Sequence, residues 1–170
     1  MALAGRGLNR SVHWSGEKPM LSITCAAPLS HQPGIMMKID GSCHCGFLKY
    51  EARIDPEAIY ICHCTDCQSI SGGAFRWAVT IPAEDFSLLS GEPRTYVKRA
   101  DSGAVSHQLF CPECASPLYS RSLTDGPKLI NLRLGTARQR DRLIPRRQLW
   151  CGSAQGWITV TEPTETLDRQ

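Results

Sequence analysis

The stretch ICHCTDCQSISGG, residues 61–73, decides the fold because it places three cysteines within six positions. Cys62, Cys64 and Cys67 follow the spacing C-x-C-x-x-C. Thiols this close are typical of a metal site, a redox centre or a disulfide cluster. A closed structural zinc site takes four ligands, so a fourth ligand has to come from elsewhere or the position has to stay open.

The cysteine content of the whole chain favours metal binding over disulfides. The chain has 170 residues, nine of them cysteines, and a formal net charge of +3. An odd number of cysteines argues against a fully paired disulfide framework, and the N-terminus lacks the apolar stretch of a secretory signal. We therefore expect a reduced, cytoplasmic protein. No apolar run approaches the ~20 residues of a membrane helix. The cysteines are Cys25, Cys43, Cys45, Cys62, Cys64, Cys67, Cys111, Cys114 and Cys151.

The pattern along the chain predicts one all-β domain, residues 37–162, between a flexible extension at 1–36 and a short tail at 163–170. The extension contains scattered Gly, Ser and Pro without a sustained hydrophobic period. From Met37 onwards, short β-rich runs alternate with turn signals, as in sandwiches and barrels. A single local helix is predicted at residues 66–70. The strand-bearing segments are predicted at 37–54, 58–64, 75–81, 86–93, 94–99, 107–123, 128–135 and 148–160.

The clustered cysteines divide economically into a group of four and a group of three. Side chains at i and i+2 on a strand share a face, so Cys43 and Cys45 can reach one ion together. A C-x-x-C turn brings Cys111 and Cys114 to one side. These four form the predicted structural zinc site, because thiolates favour zinc over magnesium or calcium. A clip between such distant segments would stabilise a small domain.

The remaining group, Cys62, Cys64 and Cys67, has the three protein ligands and open fourth position of a catalytic zinc site. One alternative is that Cys151, His63 or His107 completes a second inert site, although His63 should face away from its two neighbours on a strand. Another alternative is a redox switch between Cys62 and Cys67.

The motifs GSCHCG, CHCTDCQSISGGAF, FCPECASPLY and LW…W, between Lys38 and Val160, resemble the glutathione-dependent formaldehyde-activating enzyme family. This family also includes centromere protein V-like proteins. The resemblance implies folded-over antiparallel sheets, one structural zinc and one three-cysteine zinc. It also implies a carbon–sulfur lyase that makes or breaks S-hydroxymethylglutathione, with glutathione as co-substrate. The chain departs from the family at Ala115, where glycine is usual, at Gln148, near which histidine is common, and in GTARQRDRLIP at 135–145.

Several further residues are candidates for ligand contact. Ser71, Gly72 and Gly73 could contact the thiol substrate or form a bare turn. Trp150 and Trp157 are predicted as core or pocket-wall residues. His44 and His107 are predicted at the surface or behind the ligands. Arginines at 133, 138, 140, 142, 146 and 147 could bind the carboxylates of glutathione or form a solvated basic face.

A non-catalytic zinc module that binds a protein or nucleic acid is the alternative function. The basic stretch alone is weak support for nucleic acid. The sequence leaves the oligomeric state open.

Overall fold

The structure is a computed structural model that describes residues 34–100, 103–123, 126, 128–158 and the backbone of 165–167. Cys25, most of the predicted extension and most of the predicted tail lie outside these residues. The all-β prediction is confirmed, since the described chain forms eleven strands and one α-helix, α1 (Thr65–Ser71), where a helix was predicted at 66–70. The strands are β1 (Met37–Ser42), β2 (Lys49–Ile54), β3 (Ile59–Cys62), β4 (Arg76–Pro82), β5 (Phe86–Ser90), β6 (Arg94–Arg99), β7 (Val105–Phe110), β8 (Pro117–Ser122), β9 (Leu129–Arg133), β10 (Arg147–Leu149) and β11 (Glu165–Leu167).

The strands form two sheets, one of three strands and one of eight. The small sheet has the order β1-β2-β5, and the large one has the order β11-β10-β3-β4-β9-β8-β7-β6. Most neighbours are antiparallel, as predicted. The exception is β10, which pairs in parallel with both β3 and β11, so the large sheet is mixed. Short 3₁₀ turns lie at Pro56–Ala58, Ala83–Asp85, Leu134–Thr136, Arg140–Arg142 and Cys151–Ser153.

The large sheet has one apolar and one polar face. Gln108 of β7 lies opposite Ser120, which lies opposite Asn131, whereas the neighbouring Leu109 belongs to the row that includes Leu132. Because successive side chains on a strand point to opposite faces, these rows lie on opposite sides of the sheet. We call the side with Gln108 the polar face. By register it carries Tyr60, Cys62, Arg76, Ala78, Lys98, Ser106, Gln108, Ser120, Asn131 and Arg133.

The opposite, apolar face packs against the small sheet and forms the main core. Ile39 and Ile54 of the small sheet share one buried cluster with Ile59, Val79 and Leu132 of the large sheet. Full burial of such a side chain stabilises the folded state by about 1.5–3 kcal/mol. The core therefore holds one face of the large sheet and leaves the other free to build a site.

Two local predictions were wrong. Residues 43–45 and 63–64 were expected on strands, but Cys43 and Cys45 lie in a turn after β1, and Cys64 lies between β3 and α1. A turn brings the 43–45 pair of sulfurs together as well as a strand would.

The late aromatics are also placed differently from the prediction. Trp150 has 36% of its surface exposed and Trp157 has 74%, and neither belongs to a core cluster. No helix in the described part of the chain has the length and apolarity needed to cross a membrane.

Candidate metal centres and the adjoining cavity

The first cysteine cluster brings together the four residues predicted to form a closed site. The sulfurs of Cys43, Cys45, Cys111 and Cys114 all lie within 4.8 Å of one another. The Cys43–Cys45 and Cys45–Cys111 sulfur distances are 3.5 Å and 3.7 Å. Four sulfurs bound at about 2.3 Å around one tetrahedral ion lie about 3.8 Å apart. The cluster therefore has the dimensions of a four-thiolate metal site.

Two turns hold this cluster in shape. The Leu48 N–H donates to the sulfur of Cys43 at 3.2 Å, and the Ser116 hydroxyl lies 3.2 Å from the sulfur of Cys114. The hydrogen bond with Ser116 lowers the pKa of Cys114 to about 5. Ala115, which stands where the family that the sequence resembles usually has glycine, adopts the left-handed conformation with φ of 58°. The turn is thus retained with a residue that favours it less.

The second cluster contains Cys62, Cys64 and Cys67, whose sulfurs also lie within 4.8 Å of one another. Cys62 ends β3, Cys64 is the N-cap of α1, and Cys67 lies in the first turn of the helix. The Cys64 sulfur accepts a hydrogen bond from the Cys67 N–H at 3.4 Å, in the place usually taken by a capping oxygen. The change from strand to helix therefore brings the three sulfurs to one point.

No further His, Cys, Asp or Glu of the described residues joins this second group. His63 is fully buried, and its Nε2 lies 3.0 Å from Oε1 of Gln148, so it faces away as expected. Cys151 donates to the Gln148 carbonyl oxygen at 3.6 Å instead of joining the sulfurs. His44 is exposed and His107 half-buried, and neither joins a cysteine cluster. Within the described residues, the cluster offers three candidate metal ligands.

Electrostatics distinguish the members of the second cluster. A hydrogen bond from the Cys67 thiol lowers the pKa of Cys62 to about 5, against the opposing effect of burial. The same hydrogen bond raises the pKa of Cys67. The positive charge of nearby Arg76 adds to the fall in the pKa of Cys62 and opposes the rise in that of Cys67. A bound metal deprotonates all such ligands, and the cation beside them favours that charged state.

A cavity of about 170 Å³ adjoins this cluster on the polar face of the large sheet. Cys67 and Ser71 of α1 contribute to its wall, and so do Arg76, Gln108 and Arg133 of the sheet. Helix α1 is tied to β6 at the edge of the sheet by an ion pair of 2.6 Å between Asp66 and Lys98. The three-cysteine cluster therefore borders, through Cys67, a polar and cationic space.

Of the residues at and after the end of α1 that were predicted to contact a thiol substrate, only some line this cavity. Ser71 lies in the cavity wall, and its hydroxyl donates to the carbonyl oxygens of Cys67 and Phe75. Gly72 has φ of 64° and caps the helix in the left-handed conformation, which explains a glycine at that position. Neither Gly72 nor Gly73 lies in the cavity wall. Contact of these three residues with substrate stays a prediction.

The arginines between residues 133 and 147 were predicted either to bind carboxylates or to form a solvated basic face, and the structure places some of them in each kind of position. Arg138 pairs with Asp40 at 2.7 Å and Arg146 with Glu57 at 3.3 Å, both on the surface. Arg133 is only 6% exposed and faces the cavity. The sequence could not separate these cases, because only the strand register of β9 turns Arg133 inward.

The sequence did not single out the other residues of the polar face that build the cavity. Arg76 lies directly opposite Cys62 in the antiparallel pair of the consecutive strands β3 and β4. Pairing of these two strands, if assumed from the sequence, would have predicted that Arg76 lies close to the sulfurs. Gln108, Ser120 and Asn131 would have required the strand pairing to be known. Their polar side chains alternate with apolar ones, but that pattern is equally typical of a solvated sheet face.

Comparisons with known proteins show the family of the chain. The model of a family described as glutathione-dependent formaldehyde-activating enzyme matches residues 38–153. A crystal structure of a Rhodobacter sphaeroides protein, solved as a structural genomics target, is similar with a TM-score of 0.49 and 18% identity, covering 64% of this chain and 97% of that chain. No curated protein matches the chain.

Proposed function

The chain belongs to the glutathione-dependent formaldehyde-activating enzyme family, and from that premise we propose that it is a zinc-dependent carbon–sulfur lyase. Its proposed substrate is S-hydroxymethylglutathione or a related thiol–aldehyde adduct. The observation that carries the proposal is the three-cysteine cluster, which has no fourth protein ligand among the described residues and adjoins a cavity.

The donor sets fit two zinc ions per chain, one held by Cys43, Cys45, Cys111 and Cys114 and the other by Cys62, Cys64 and Cys67. Zinc in the three-cysteine site would supply a position for a substrate thiolate and a Lewis acid for an aldehyde oxygen. The first site closes a span of 66 residues between Cys45 and Cys111 and is proposed as structural.

The reaction needs no oxidant or reductant. In the joining direction a carbon–sulfur bond forms between the thiol and formaldehyde, the π electron pair moves to oxygen, and the thiol proton ends on that oxygen. Cleavage is the reverse. What the chain can contribute is closeness of the two reactants and stabilisation of the thiolate, and well-oriented reactants alone can supply much of a rate enhancement.

Arg76 is the residue best placed to stabilise negative charge near the sulfurs. Burial alone lowers its pKa, but the Tyr60 phenol and the thiols of Cys67 and Cys62 raise it overall. Its guanidinium lies over the Tyr60 ring, 5.6 Å from the centroid, and donates to the Tyr60 hydroxyl at 3.3 Å. A fixed, fully charged cation beside the cluster favours ionised sulfur.

The test is exchange between free formaldehyde and its glutathione adduct, followed by NMR. Zinc-loaded protein is expected to accelerate exchange, and Cys62→Ser is expected to abolish the acceleration because it removes one ligand of the open cluster. Cys151→Ser is the matched control, since Cys151 lies outside both clusters. Absence of acceleration by zinc-loaded wild-type protein would contradict the glutathione substrate.

The alternative, a non-catalytic zinc module, makes a different prediction for the metal. It requires an eighth protein ligand, so that protein atoms saturate both ions. X-ray absorption of the zinc protein with added thiol separates the two proposals, because only an open site takes up an exogenous sulfur. Cytoplasmic location remains a prediction, supported by the seven cysteines of the two clusters, which form no disulfides.

A further inference from the structure

The cavity beside the three-cysteine cluster contains more positive than negative charge. Its wall includes four cationic side chains and one acidic side chain, Asp66. The ion pair of Asp66 with Lys98 leaves no carboxylate of the described residues for the other cations of the wall. These cations are Arg76, Arg121 and Arg133.

The burial and hydrogen bonding of Arg133 are the strongest evidence that the positive charge of the cavity binds a ligand. The side chain is 94% buried, given its exposure of 6%. Its Nη2 donates to Oε1 of Gln108 at 2.8 Å, but its buried Nη1 has no partner among the described residues. Burial has the largest effect on the pKa of Arg133 and lowers it, whereas the sulfurs of Cys67 and Cys62 raise it. A buried guanidinium with an unpaired donor is costly for the folded protein, and an anion in the cavity would reduce that cost.

Arg76 offers a second unsatisfied donor between the sulfurs and the cavity. Its Nε is buried without a partner among the described residues, whereas one of its terminal nitrogens is held by Tyr60. Asn131 accepts a hydrogen bond from Tyr60 at 2.8 Å and thereby fixes the phenol. The acceptors that hold both guanidinium groups are neutral oxygens, and the sulfurs of the three-cysteine cluster balance the two positive charges only in part.

We propose that the cavity binds the carboxylate of a compact thiol whose sulfur reaches the three-cysteine cluster. This inference rests on the proposed function and narrows its substrate class. The planar fork of an arginine matches a carboxylate in two parallel hydrogen bonds. Burial lowers the pKa of Arg133 to about 10, which still leaves the guanidinium charged at neutral pH.

The volume of the cavity sets the size of the ligand. At about 170 Å³ it is smaller than the ~300–1,000 Å³ of pockets that enclose drug-sized ligands. A volume of this size is sufficient for a carboxylate with two or three carbon atoms. Glutathione satisfies the requirement only if most of the tripeptide lies outside this cavity.

The experiment compares 3-mercaptopropionate with its neutral isostere 3-mercaptopropionamide by isothermal titration calorimetry on the zinc-loaded full chain. The carboxylate is expected to bind about 10- to 100-fold more tightly, the range for charge-assisted hydrogen bonds. Arg76→Gln and Arg133→Gln are each expected to remove most of this preference. Arg76→Lys, which keeps the charge but not the fork, is expected to keep part of it.

The matched control is Arg142→Gln, because Arg142 is an exposed arginine outside the cavity wall. It is expected to retain the full preference. Zinc content and thermal melting identify any variant that fails to fold, and Arg76→Gln serves if Arg133→Gln does so. Equal affinity of wild-type protein for the two thiols would overturn the carboxylate site and leave the proposed function standing. Failure of both thiols to bind would overturn this inference, and the proposed function would fall with it only if glutathione, titrated in the same way, also failed to bind.

Discussion

The two cysteine clusters contain the same kind of side chain, but one joins segments that are distant in sequence and the other joins near neighbours. The four-cysteine cluster joins two turns, and Cys45 and Cys111 are 66 residues apart in sequence. The three-cysteine cluster lies within six consecutive residues at the junction of β3 and α1. Linking distant segments removes much more chain entropy than linking near neighbours. The first cluster can therefore carry stability, whereas the second can lose its metal without releasing the fold.

The groups that surround the two cysteine clusters also differ. The four-cysteine cluster is stabilised by backbone N–H groups and by the hydroxyl of Ser116. The three-cysteine cluster has the cationic Arg76 beside it and a cavity next to Cys67. Local hydrogen bonds are sufficient for a site that only holds metal. A cavity adjoins each cluster, but the arginines beside the first, Arg138 and Arg140, are exposed, whereas Arg133 beside the second is buried. Buried positive charge next to the sulfurs is therefore the feature that distinguishes the second cluster.

The largest expected effect is that of Cys111→Ser in the four-cysteine cluster. Cys111 is fully buried, and its loss should release the metal that links the two turns. We expect the free energy of unfolding to fall by about 5 kcal/mol or more, comparable with the whole stability of a small domain. Circular dichroism and metal analysis should show an unfolded, zinc-poor protein. A cooperative melt with wild-type zinc content would contradict the structural role.

Cys64→Ser in the three-cysteine cluster should have a smaller effect on stability. Serine is itself a good N-cap, so the substitution removes a metal ligand while preserving the start of α1. We expect zinc to fall from about two to about one per chain and the free energy of unfolding to fall by at most about 2 kcal/mol. Cys151→Ser should leave both quantities unchanged. Unfolding as complete as that of Cys111→Ser would remove the distinction between the clusters.

Graded chelation should separate the two metals in the wild-type protein. Because one site has an open position, we expect the first equivalent of zinc to leave with the fold retained. The second equivalent should leave only as the protein unfolds. Zinc release and circular dichroism, recorded together, check this order. Cys64→Ser should lack the first step, and loss of both metals in a single unfolding step would argue against the proposed difference.

The sequence could predict those features of the two clusters that depend on residues near one another in the chain. It could not predict those that depend on the pairing of distant strands. Cysteine spacing was sufficient to group the seven clustered residues, since a metal site tolerates either a strand or a turn around its ligands. The strand assignment of residues 43–45 failed because a C-x-C pair alternates on a strand and also fits a turn. The cavity could not be predicted, since Arg76, Gln108 and Arg133 meet only through the order β4-β9-β8-β7 in the large sheet. Trp157 was misplaced because aromatic character indicates burial only on average.

The smallest expected effect concerns the turn that carries Cys114. Ala115 is exposed and has φ of 58°, a conformation that costs an L-residue about 1–2 kcal/mol relative to the right-handed region. Glycine avoids this cost but makes the unfolded chain more flexible, which offsets part of the gain. We expect Ala115→Gly to raise the free energy of unfolding by about 0.5–1 kcal/mol. Thermal melting of the zinc-loaded protein would measure the change.

The matched control for this prediction is Ala154→Gly. Ala154 is also exposed but has an ordinary φ of −63°, so glycine there should only add flexibility to the unfolded state and lower the melting temperature. If both substitutions lower it, the left-handed turn at Ala115 carries no strain that glycine relieves. Opposite signs would show that the four-cysteine cluster holds its turn against an unfavourable residue. Helix α1 beside the three-cysteine cluster has a glycine, Gly72, at its own left-handed position and therefore carries no such backbone strain.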